Sequence, residues 1–214
     1  MKKKDLEIIL SGLETFEKQQ LDLEQYQTES HIAGDLLWHA CMEGDIEGKI
    51  VADLGCGNGV FGIGALLLGA KKVIFLDVDG AAIKIARNNV LAVERIIGQK
   101  LSKSFSHSDI NKFSKKVDTV LQNPPFGVRE THADKPFLLR AMKNSSRIYS
   151  FHKLDTARFV ESFVKDEGWG VRLVKKYKFP LRKGKDGAKT GYAFWKKNVH
   201  FVDVGVWLLD SKAV

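Results

Sequence analysis

The segment from Lys49 to Gly59 constrains the fold more than any other part of the sequence. Ile50–Leu54 is a short apolar run typical of a buried strand, and the stretch DLGCGNG and a helical run follow it. Glycine lets the backbone turn sharply and approach a ligand closely, while a helix N-terminus offers free N–H groups. The segment therefore predicts a strand–loop–helix unit with a ligand site where the strand ends.

The same alternation of short apolar runs and helical runs continues along the chain. The last two apolar runs are longer and have no helix between them. This pattern predicts an α/β fold with a seven-stranded, mostly parallel, doubly wound sheet, helices on both faces and an antiparallel last strand. Strands are expected at 50–54, 73–77, 101–107, 117–121, 147–151, 170–179 and 199–209, and helices at 60–69, 80–93 and 154–166.

Two helices are expected before the first strand. Apolar residues recur at helical spacing over 4–17, and Ser30 can cap a second helix at about 31–43. We interpret residues 1–214 as a single domain. Residues 1–48 form its N-terminal helical part, and residues 49–214 form the core with a basic C-terminal hairpin.

Cellular location can be judged from cysteines and apolar runs. Cys41 and Cys56 form neither a CxxC pair nor a disulfide framework. The longest nearly apolar run, residues 60–70, has 11 residues and is too short to cross a bilayer. Asp5 and Glu7 interrupt the apolar segment that a signal peptide needs. We expect a cytoplasmic protein without a metal site or a membrane partner.

The glycine loop is compatible with two kinds of nucleoside cofactor. Gly57-x-Gly59-x-x-Gly62 fits the dinucleotide fingerprint, whereas Asp53-x-Gly55-x-Gly57-x-Gly59 fits the acidic loop of S-adenosylmethionine-dependent methyltransferases. Asp77 ends the second strand, and its carboxylate could accept hydrogen bonds from both hydroxyls of a ribose in either case. Asp109 and Ile110 follow the third strand, where they could contact an adenine ring.

Asn123-Pro124-Pro125-Phe126 directly follows the fourth strand and indicates the chemistry. Consecutive prolines fix the backbone and remove N–H donors, so the Asn123 oxygen and the Pro124 carbonyl could both accept hydrogen bonds from one planar amino group. Two acceptors draw that nitrogen toward pyramidal geometry and free its lone pair, while Phe126 stacks on the ring. The tetrad has no role in hydride transfer, so it favours methylation of an amine.

The C-terminal part of the chain is basic. Residues 1–118 have 15 Lys and Arg against 17 Asp and Glu, whereas residues 119–214 have 19 against 9. Lysines neutralise phosphates and aromatic rings stack on unpaired bases, so aromatic residues interleaved with basic ones over 172–197 favour single-stranded RNA. The expected RNA contacts are Arg129, Lys175, Lys176, Lys178, Arg182, Lys183, Lys185, Lys196 and Lys197. His152 could contact RNA or complete a polar network.

Over nearly its whole length the chain resembles the methyltransferase-like protein 5 family of ribosomal-RNA adenosine N6-methyltransferases. The stretches that show the resemblance are LEQYQTESHIA, KIVADLGCGNGVFGIGALLLGA, LDVD, DTVLQNPPFG, YSFHK and FWKKN. The resemblance implies a Rossmann-like methyltransferase fold and S-adenosylmethionine as the methyl donor. It also implies a small zinc-binding activator subunit that adds a strand to the edge of the sheet.

Site residues can be transferred by matching these motifs. The resemblance implies that Asn123 to Phe126 form the catalytic tetrad. It implies cofactor contacts at Gln25, Thr28, Asp53, Gly55, Gly57, Asn58, Val60, Asp77, Asp109, Ile110 and Asn123. Gln27 stands where many members have Pro, and Asn58 where Cys or another small residue is common.

These observations predict an S-adenosylmethionine-dependent N6-adenosine methyltransferase that acts on ribosomal RNA of the small subunit. One alternative is another amino-group methyltransferase, acting on DNA adenine or on the N5 atom of a protein glutamine. A second is a non-catalytic RNA-binding assembly factor with the same fold, and a third is a nicotinamide enzyme. The intact Asp77 and the tetrad argue against the assembly factor, and the tetrad argues against the nicotinamide enzyme because it has no role in hydride transfer.

Overall fold

The computed structural model describes residues 1–16, 25–126, 133–182 and 199–211. The helices are α1 (Lys3–Ser11), α2 (Ser30–Met42), α3 (Val60–Leu67), α4 (Gly80–Ile97), α5 (Lys135–Asn144) and α6 (Ala157–Asp166). The strands are β1 (Ile50–Leu54), β2 (Lys72–Asp77), β3 (Lys103–His107), β4 (Thr119–Gln122), β5 (Arg147–Lys153), β6 (Gly170–Arg182) and β7 (Val199–Asp210). Short 3-10 turns span Ile110–Lys112 and Leu154–Thr156.

The strands form one seven-stranded sheet in the order β3-β2-β1-β4-β5-β7-β6. β1 to β5 pair in parallel, while β7 is antiparallel to both of its neighbours. The predicted fold class is therefore confirmed. The sequence pattern does not reveal that β7 lies between β5 and β6, because the choice of neighbours depends on how α6 carries the chain past β5.

Three helices have a boundary that differs from the sequence-based expectation. α1 ends at Ser11 instead of continuing to residue 17, because Gly12 leaves the helical conformation and Leu13 is buried in the core. Ser30 is the first residue of α2 and not its cap; Glu29 holds the cap position without a side-chain cap bond. α4 extends beyond the expected residue 93 to Ile97, where Gly98 ends it with a φ of 68°.

Each face of the sheet is covered by its own hydrophobic cluster. The larger cluster joins α1, α2, α3 and α4 to one face, and the other joins α5 and α6 to the opposite face. Glycine lets α3 approach its neighbours closely: a Cβ atom at Gly62 would overlap the Phe75 ring, and one at Gly64 would overlap Leu37. The helix that follows the glycine loop is thereby packed tightly against the sheet and α2.

Asp35 on α2 links the N-terminal helices to the C-terminal hairpin. Its carboxylate accepts hydrogen bonds from Lys3 Nζ (2.7 Å) on α1 and from the Tyr177 hydroxyl (2.7 Å) on β6. Lys175 Nζ lies 3.3 Å away. Burial alone would raise the pKa of Asp35, but these partners lower it to about 2. Near neutral pH the ionised Asp35 carboxylate on α2 therefore links α1 and β6 to α2 through these hydrogen bonds.

Both cysteines are free thiols, Cys41 half-buried and Cys56 buried. None of the helices in the described ranges has the length and apolar character needed to cross a membrane. Across the same ranges, no three His, Cys, Asp or Glu side chains cluster in a way that could hold a metal ion.

Candidate active site

The predicted motifs meet at the carboxyl ends of β1, β2 and β4. β1 pairs with β2 on one side and with β4 on the other, so the loop after β1 lies between Asp77 and Asn123. Strands β2 and β3 lie on one side of β1, and β4 and β5 lie on the other. Open α/β sheets bind ligands where the connections change sides in this way. The sheet therefore brings together the cofactor motif and the tetrad.

The glycine loop is held in shape by its own backbone and by β2. Gly55, Gly57 and Gly59 have φ values of 68°, 54° and 85°, which favour glycine over any residue with a side chain. The Gly55 and Cys56 amides both donate to the Leu76 carbonyl, at 2.8 and 2.9 Å. The loop therefore curls over the end of β2.

Asp77 binds the same loop with its carboxylate. Its Oδ2 accepts from the Gly57 amide and its Oδ1 from the Asp79 amide, both at 2.9 Å. Burial raises the pKa of Asp77 although these bonds favour the charged form. Each oxygen keeps a second lone pair, so the geometry is compatible with hydrogen bonds from ribose hydroxyls.

Asp53 faces the interior instead of the cleft. Its side chain is fully buried, and its Oδ2 accepts from the Gly62 amide in α3 at 2.8 Å. Its Oδ1 has no partner among the described residues, and burial raises the pKa of Asp53 well above the ordinary value. The geometry therefore gives Asp53 a role in supporting the loop and α3, and its direct contact with the cofactor stays a prediction.

Asn58 bonds to the protein interior. Its side chain is buried, and its Nδ2 donates to the Glu14 carbonyl at 3.2 Å. Asn89 Nδ2 donates to the Asn58 carbonyl at 3.0 Å. These bonds tie the loop to α4 and to the segment after α1, and a contact of Asn58 with the cofactor stays a prediction. Val60 is the first residue of α3 and is nearly buried.

Asp109 and Ile110 lie beside the end of β2, as expected from their position after β3. The Ser108 amide donates to the Asp77 carbonyl at 2.9 Å, which links the two strand ends. Asp109 is exposed and its Oδ1 accepts from the Asn111 amide at 2.7 Å, while Ile110 is buried. Asp109 therefore caps the 3-10 turn, and its contact with adenine stays a prediction.

Asn123 presents an acceptor without a partner. Its Nδ2 donates to the Thr28 hydroxyl at 3.1 Å, which fixes the orientation of the amide. Its Oδ1 is buried and has no hydrogen-bond partner in the described part of the chain. A buried polar atom without a partner is costly, so an acceptor kept in this state indicates a functional requirement.

The segment before α2 spans both halves of the site. Gln25 Nε2 donates to Asp79 Oδ2 at 2.8 Å beside the end of β2. Three residues later, Thr28 binds Asn123 beside the end of β4. The structure therefore places Gln25 and Thr28, two of the expected cofactor contacts, beside the strand ends that form the site.

Phe126 is packed between aromatic rings. Tyr26 stacks on it with ring centroids 5.8 Å apart, and Phe179 meets it edge-on at 5.8 Å. Phe126 is only 7% exposed. Its stacking on a target base stays a prediction, and a base entering on the Tyr26 side would have to displace that ring.

The basic residues are only partly described. Lys175 binds Asp35, and Lys178 pairs with Asp203 at 2.7 Å, while Lys176 is exposed. Tyr177 and Phe179 lie on β6 and pack inward, so they do not form an exposed surface on which a base could stack. Arg129, Lys183, Lys185, Lys196 and Lys197 lie outside the described residues, and the structure does not describe the side chain of Arg182.

Phe201 is a feature that the sequence reasoning missed. It is 58% exposed on β7, opposite Pro180 on β6. The alternation of side chains along β7 could have revealed this exposed ring. Because Val202 and Val204 face the core, Phe201 faces outward.

Ser150, His152 and Asp134 were also not recognised as a unit. His152 Nε2 lies 2.7 Å from Ser150 Oγ, and its Nδ1 lies 2.8 Å from Asp134 Oδ2. These three residues have the connectivity of a hydrolase triad, but Ser150 is fully buried, so no substrate can reach its hydroxyl. His152 therefore completes a polar network, one of its two predicted roles.

The strand order and the loop after β1 define a Rossmann-like methyltransferase fold. Residues 29–152, more than half of the chain, match the family described as the methyltransferase small domain. The chain is 36% identical to the rRNA N(6)-adenosine-methyltransferase Mettl5 of Drosophila melanogaster, over 98% of this chain and 97% of the fly protein. It is 38% identical to METTL5 of Danio rerio, over 81% and 84% of the two chains.

A solved structure extends this comparison. The crystal structure of a candidate RNA methyltransferase from Pyrococcus horikoshii superposes with a TM-score of 0.85 at 37% identity, covering 98% of both chains. The chain therefore belongs to the METTL5 family of methyltransferases. The resemblance inferred from the sequence motifs is confirmed.

Proposed function

We propose that the protein transfers a methyl group from S-adenosylmethionine to the N6 atom of an adenosine in ribosomal RNA of the small subunit. The observation that supports this most directly is the buried, unpartnered Oδ1 of Asn123, held by Thr28 beside the glycine loop. The relatives from fly and zebrafish are named as rRNA N6-adenosine methyltransferases.

The cleft has the groups that an adenosylated cofactor requires. Asp77 would hold the ribose, Ile110 would cover the adenine, and Gln25 and Thr28 would lie near the methionine end. The loop glycines leave room for the ligand, because their positive φ values expose backbone without side chains. When bound, S-adenosylmethionine supplies an electrophilic methyl group on its sulfonium sulfur.

The protein acts mainly by aligning the amine. Asn123 Oδ1 and the Pro124 carbonyl would accept hydrogen bonds from the two N–H groups of the amine. The nitrogen lone pair would then be free to attack the methyl carbon in line. The nitrogen becomes acidic only after it is alkylated, so its proton can leave to water without a strong base. Alignment of this kind can contribute up to about 7–11 kcal/mol of a reaction barrier.

The RNA surface is proposed to lie on the outer side of the β6–β7 hairpin. Lys176, Lys178 and Phe201 share one face, because they occupy alternate positions on paired strands. Phe201 would stack on an unpaired base, and Lys176 would contact phosphate. The predicted basic residues 182–197, with Arg129, are proposed to extend this surface.

The zinc-binding activator subunit and the cytoplasmic location also remain proposals. β3 is an edge strand whose residues are all partly or largely exposed, and Ile96 on the adjacent α4 is 70% exposed. An added strand with an apolar contact to Ile96 would fit this edge. The free thiols of Cys41 and Cys56 fit a reducing compartment.

The test is transfer of labelled methyl from S-adenosylmethionine to unmodified small-subunit ribosomal RNA, followed by nucleoside analysis. Large-subunit RNA, DNA and a glutamine-containing protein acceptor are assayed in parallel. N6-methyladenosine from small-subunit RNA alone is the expected result. Methylated DNA or protein would support the alternative amino-group methyltransferases. RNA binding without transfer, with and without the activator subunit, would support the assembly factor.

A further inference from the structure

Four buried polar side chains form one continuous hydrogen-bonded chain next to the tetrad. Gln122 Nε2 donates to Ser150 Oγ at 3.0 Å, Ser150 Oγ lies 2.7 Å from His152 Nε2, and His152 Nδ1 lies 2.8 Å from Asp134 Oδ2. All four residues are at most 8% exposed. Little of this network is therefore open to solvent.

One assignment of the hydrogens is consistent with all three bonds. The Gln122 amide nitrogen can only donate, so Ser150 Oγ accepts from it and can donate its own hydrogen to His152 Nε2. The ring hydrogen is then on Nδ1, where it is donated to the Asp134 carboxylate. Gln122 Oε1 has no hydrogen-bond partner among the described residues, so the chain of bonds is directional without satisfying every atom.

This polar chain connects both ends of the segment that contains the tetrad. Gln122 is the last residue of β4 and directly precedes Asn123, and Ser150 is its register partner on β5. Asp134 occupies the cap position of α5, eight residues after Phe126. The edge of the Trp207 ring faces His152, with centroids 5.7 Å apart, and closes the network on the side of β7.

We infer that His152 and Asp134 are positioning residues that hold Asn123 in the orientation needed for transfer, acting through Ser150 and Gln122. The inference rests on the proposed function. An apolar cluster could fill the same space, but it would lack the directional hydrogen bonds that join the end of β4 to Ser150, His152 and Asp134. Thr28 fixes the Asn123 amide directly, and the network fixes the backbone from which that side chain extends.

The first test is Ser150→Ala, which removes the central hydroxyl and leaves Gln122 Nε2 and His152 Nε2 without partners. The single-turnover rate at saturating cofactor and RNA should fall about ten- to hundred-fold, because small misplacements of reacting groups have effects of that size. The dissociation constant for S-adenosylmethionine should stay near the wild-type value. Equal single-turnover rates in Ser150→Ala and wild type would overturn the inference.

Thr119→Val is the matched control. Thr119 is buried at the opposite end of β4, and its hydroxyl donates to the Asp45 carbonyl at 2.7 Å. Its replacement also removes a buried hydroxyl hydrogen bond and should lower the melting temperature, but it should not change the transfer rate. If both variants lose rate in proportion to their loss of melting temperature, the network has only a structural role.

A conservative replacement separates geometry from stability. In His152→Gln, the amide oxygen can accept from Ser150 and the amide nitrogen can donate to Asp134, whereas His152→Leu can do neither. We expect His152→Gln to retain more of the transfer rate than His152→Leu when both are compared at temperatures where they are folded. Equal rates in the two variants would contradict a role for the hydrogen bonds.

Solvent exchange of the Asn123 side-chain amide hydrogens, measured by NMR, gives a readout that does not depend on activity. Exchange should be faster in Ser150→Ala than in wild type and unchanged in Thr119→Val. Wild-type protein that transfers no methyl group would refute the proposed function, and the exchange measurement would still test the network. Identical exchange in Ser150→Ala and wild type would refute the network whatever the activity.

Discussion

The two halves of the active site satisfy their polar groups in opposite ways. At the ends of β1 and β2, both oxygens of Asp77 already accept backbone hydrogen bonds, and the loop amides donate to Leu76. At the end of β4, Asn123 Oδ1 is buried without a partner among the described residues. In the first half the carboxylate proposed to meet the ligand is already bonded to the backbone, and the unpartnered Asp53 Oδ1 is fully buried behind the loop. In the second half the unpartnered acceptor belongs to the residue proposed to meet the substrate.

This difference indicates how the two tasks are divided. We expect the first half to bind the cofactor through its shape and through the lone pairs that remain on Asp77. We expect the second half to act on the amine that donates a hydrogen bond to Asn123 Oδ1. Changes in the first half should therefore alter cofactor affinity, and changes in the second half should alter the transfer rate.

Asn123→Ala should have the largest effect. Removing one positioned hydrogen-bond partner of a reacting group lowers rates by about 10²–10³-fold, and the loss should fall on the single-turnover rate at saturating cofactor. Thr28→Val is the companion variant, because it removes the bond that orients the Asn123 amide and should give a smaller loss. A Thr28→Val enzyme slower than Asn123→Ala would contradict the assigned roles.

Asp77→Asn should weaken cofactor binding. Hydrogen bonds to a charged group contribute about 1.5–3 kcal/mol, so the dissociation constant should rise about ten-fold or more. Isothermal titration calorimetry with S-adenosylmethionine would measure it. Asp53→Asn provides the comparison. The Asp53 carboxyl is buried behind the loop, so the affinity for S-adenosylmethionine should change little in this variant. An equally large loss of affinity would support the predicted direct contact of Asp53 with the cofactor.

Gly59→Ala should show that the cofactor half depends on backbone conformation. Gly59 has a φ of 85°, and an added Cβ would lie 3.2 Å from Ala86 Cβ and 3.3 Å from the Phe75 ring. Backbone strain and crowding together should lower the free energy of unfolding by more than the roughly 1–2 kcal/mol that a left-handed backbone conformation costs alone. Gly98→Ala has a similar φ of 68° and open space around it, so denaturant unfolding should show a smaller loss there.

Cofactor binding should depend on pH through Asp77. Burial raises the pKa of Asp77 above 3.8, so its carboxylate gains a proton at a higher pH than an ordinary aspartate does. Affinity should fall as the pH is lowered through that range, because the protonated group accepts hydrogen bonds less well. The same raised pKa makes the carboxylate costly to form in the folded protein, so Asp77 lowers the unfolding free energy as pH rises. Affinity that is independent of pH in wild type would contradict this assignment.

Phe201→Ala should have the smallest effect, on RNA alone. Base stacking on an aromatic ring contributes about 1–3 kcal/mol, so the KM for RNA should rise about five-fold or more. Cofactor affinity and the single-turnover rate at saturating RNA should not change. Met42→Ala, at another exposed apolar position away from the hairpin, controls for general surface effects. An identical response in both variants would remove Phe201 from the RNA surface.

Much of the fold could be predicted because its signals are local. The glycine loop, Asp77 and the tetrad each follow a strand, and parallel strands bring their carboxyl ends to one edge. The placement of β7 could not be predicted, because it depends on packing between elements distant in sequence. The inward orientation of the Asp53 and Asn58 side chains could not be predicted for the same reason, since a motif does not show which way a side chain points.

The polar network shows the same limit. Gln122, Ser150, His152 and Asp134 come from three different elements, and only their positions in the sheet bring them into contact. The inward packing of Tyr177 and Phe179 follows from the register of the β6–β7 hairpin. The sequence shows the composition of that hairpin but does not show which of its faces is covered.

The most direct test of the division between the two halves is to measure cofactor affinity and single-turnover rate on the same preparations of wild type, Asn123→Ala and Asp77→Asn. We predict that Asn123→Ala binds S-adenosylmethionine like wild type but transfers the methyl group far more slowly. Asp77→Asn should bind weakly and regain a near wild-type rate when the cofactor is saturating. Loss of cofactor binding in Asn123→Ala, or a slow rate in fully saturated Asp77→Asn, would contradict the account.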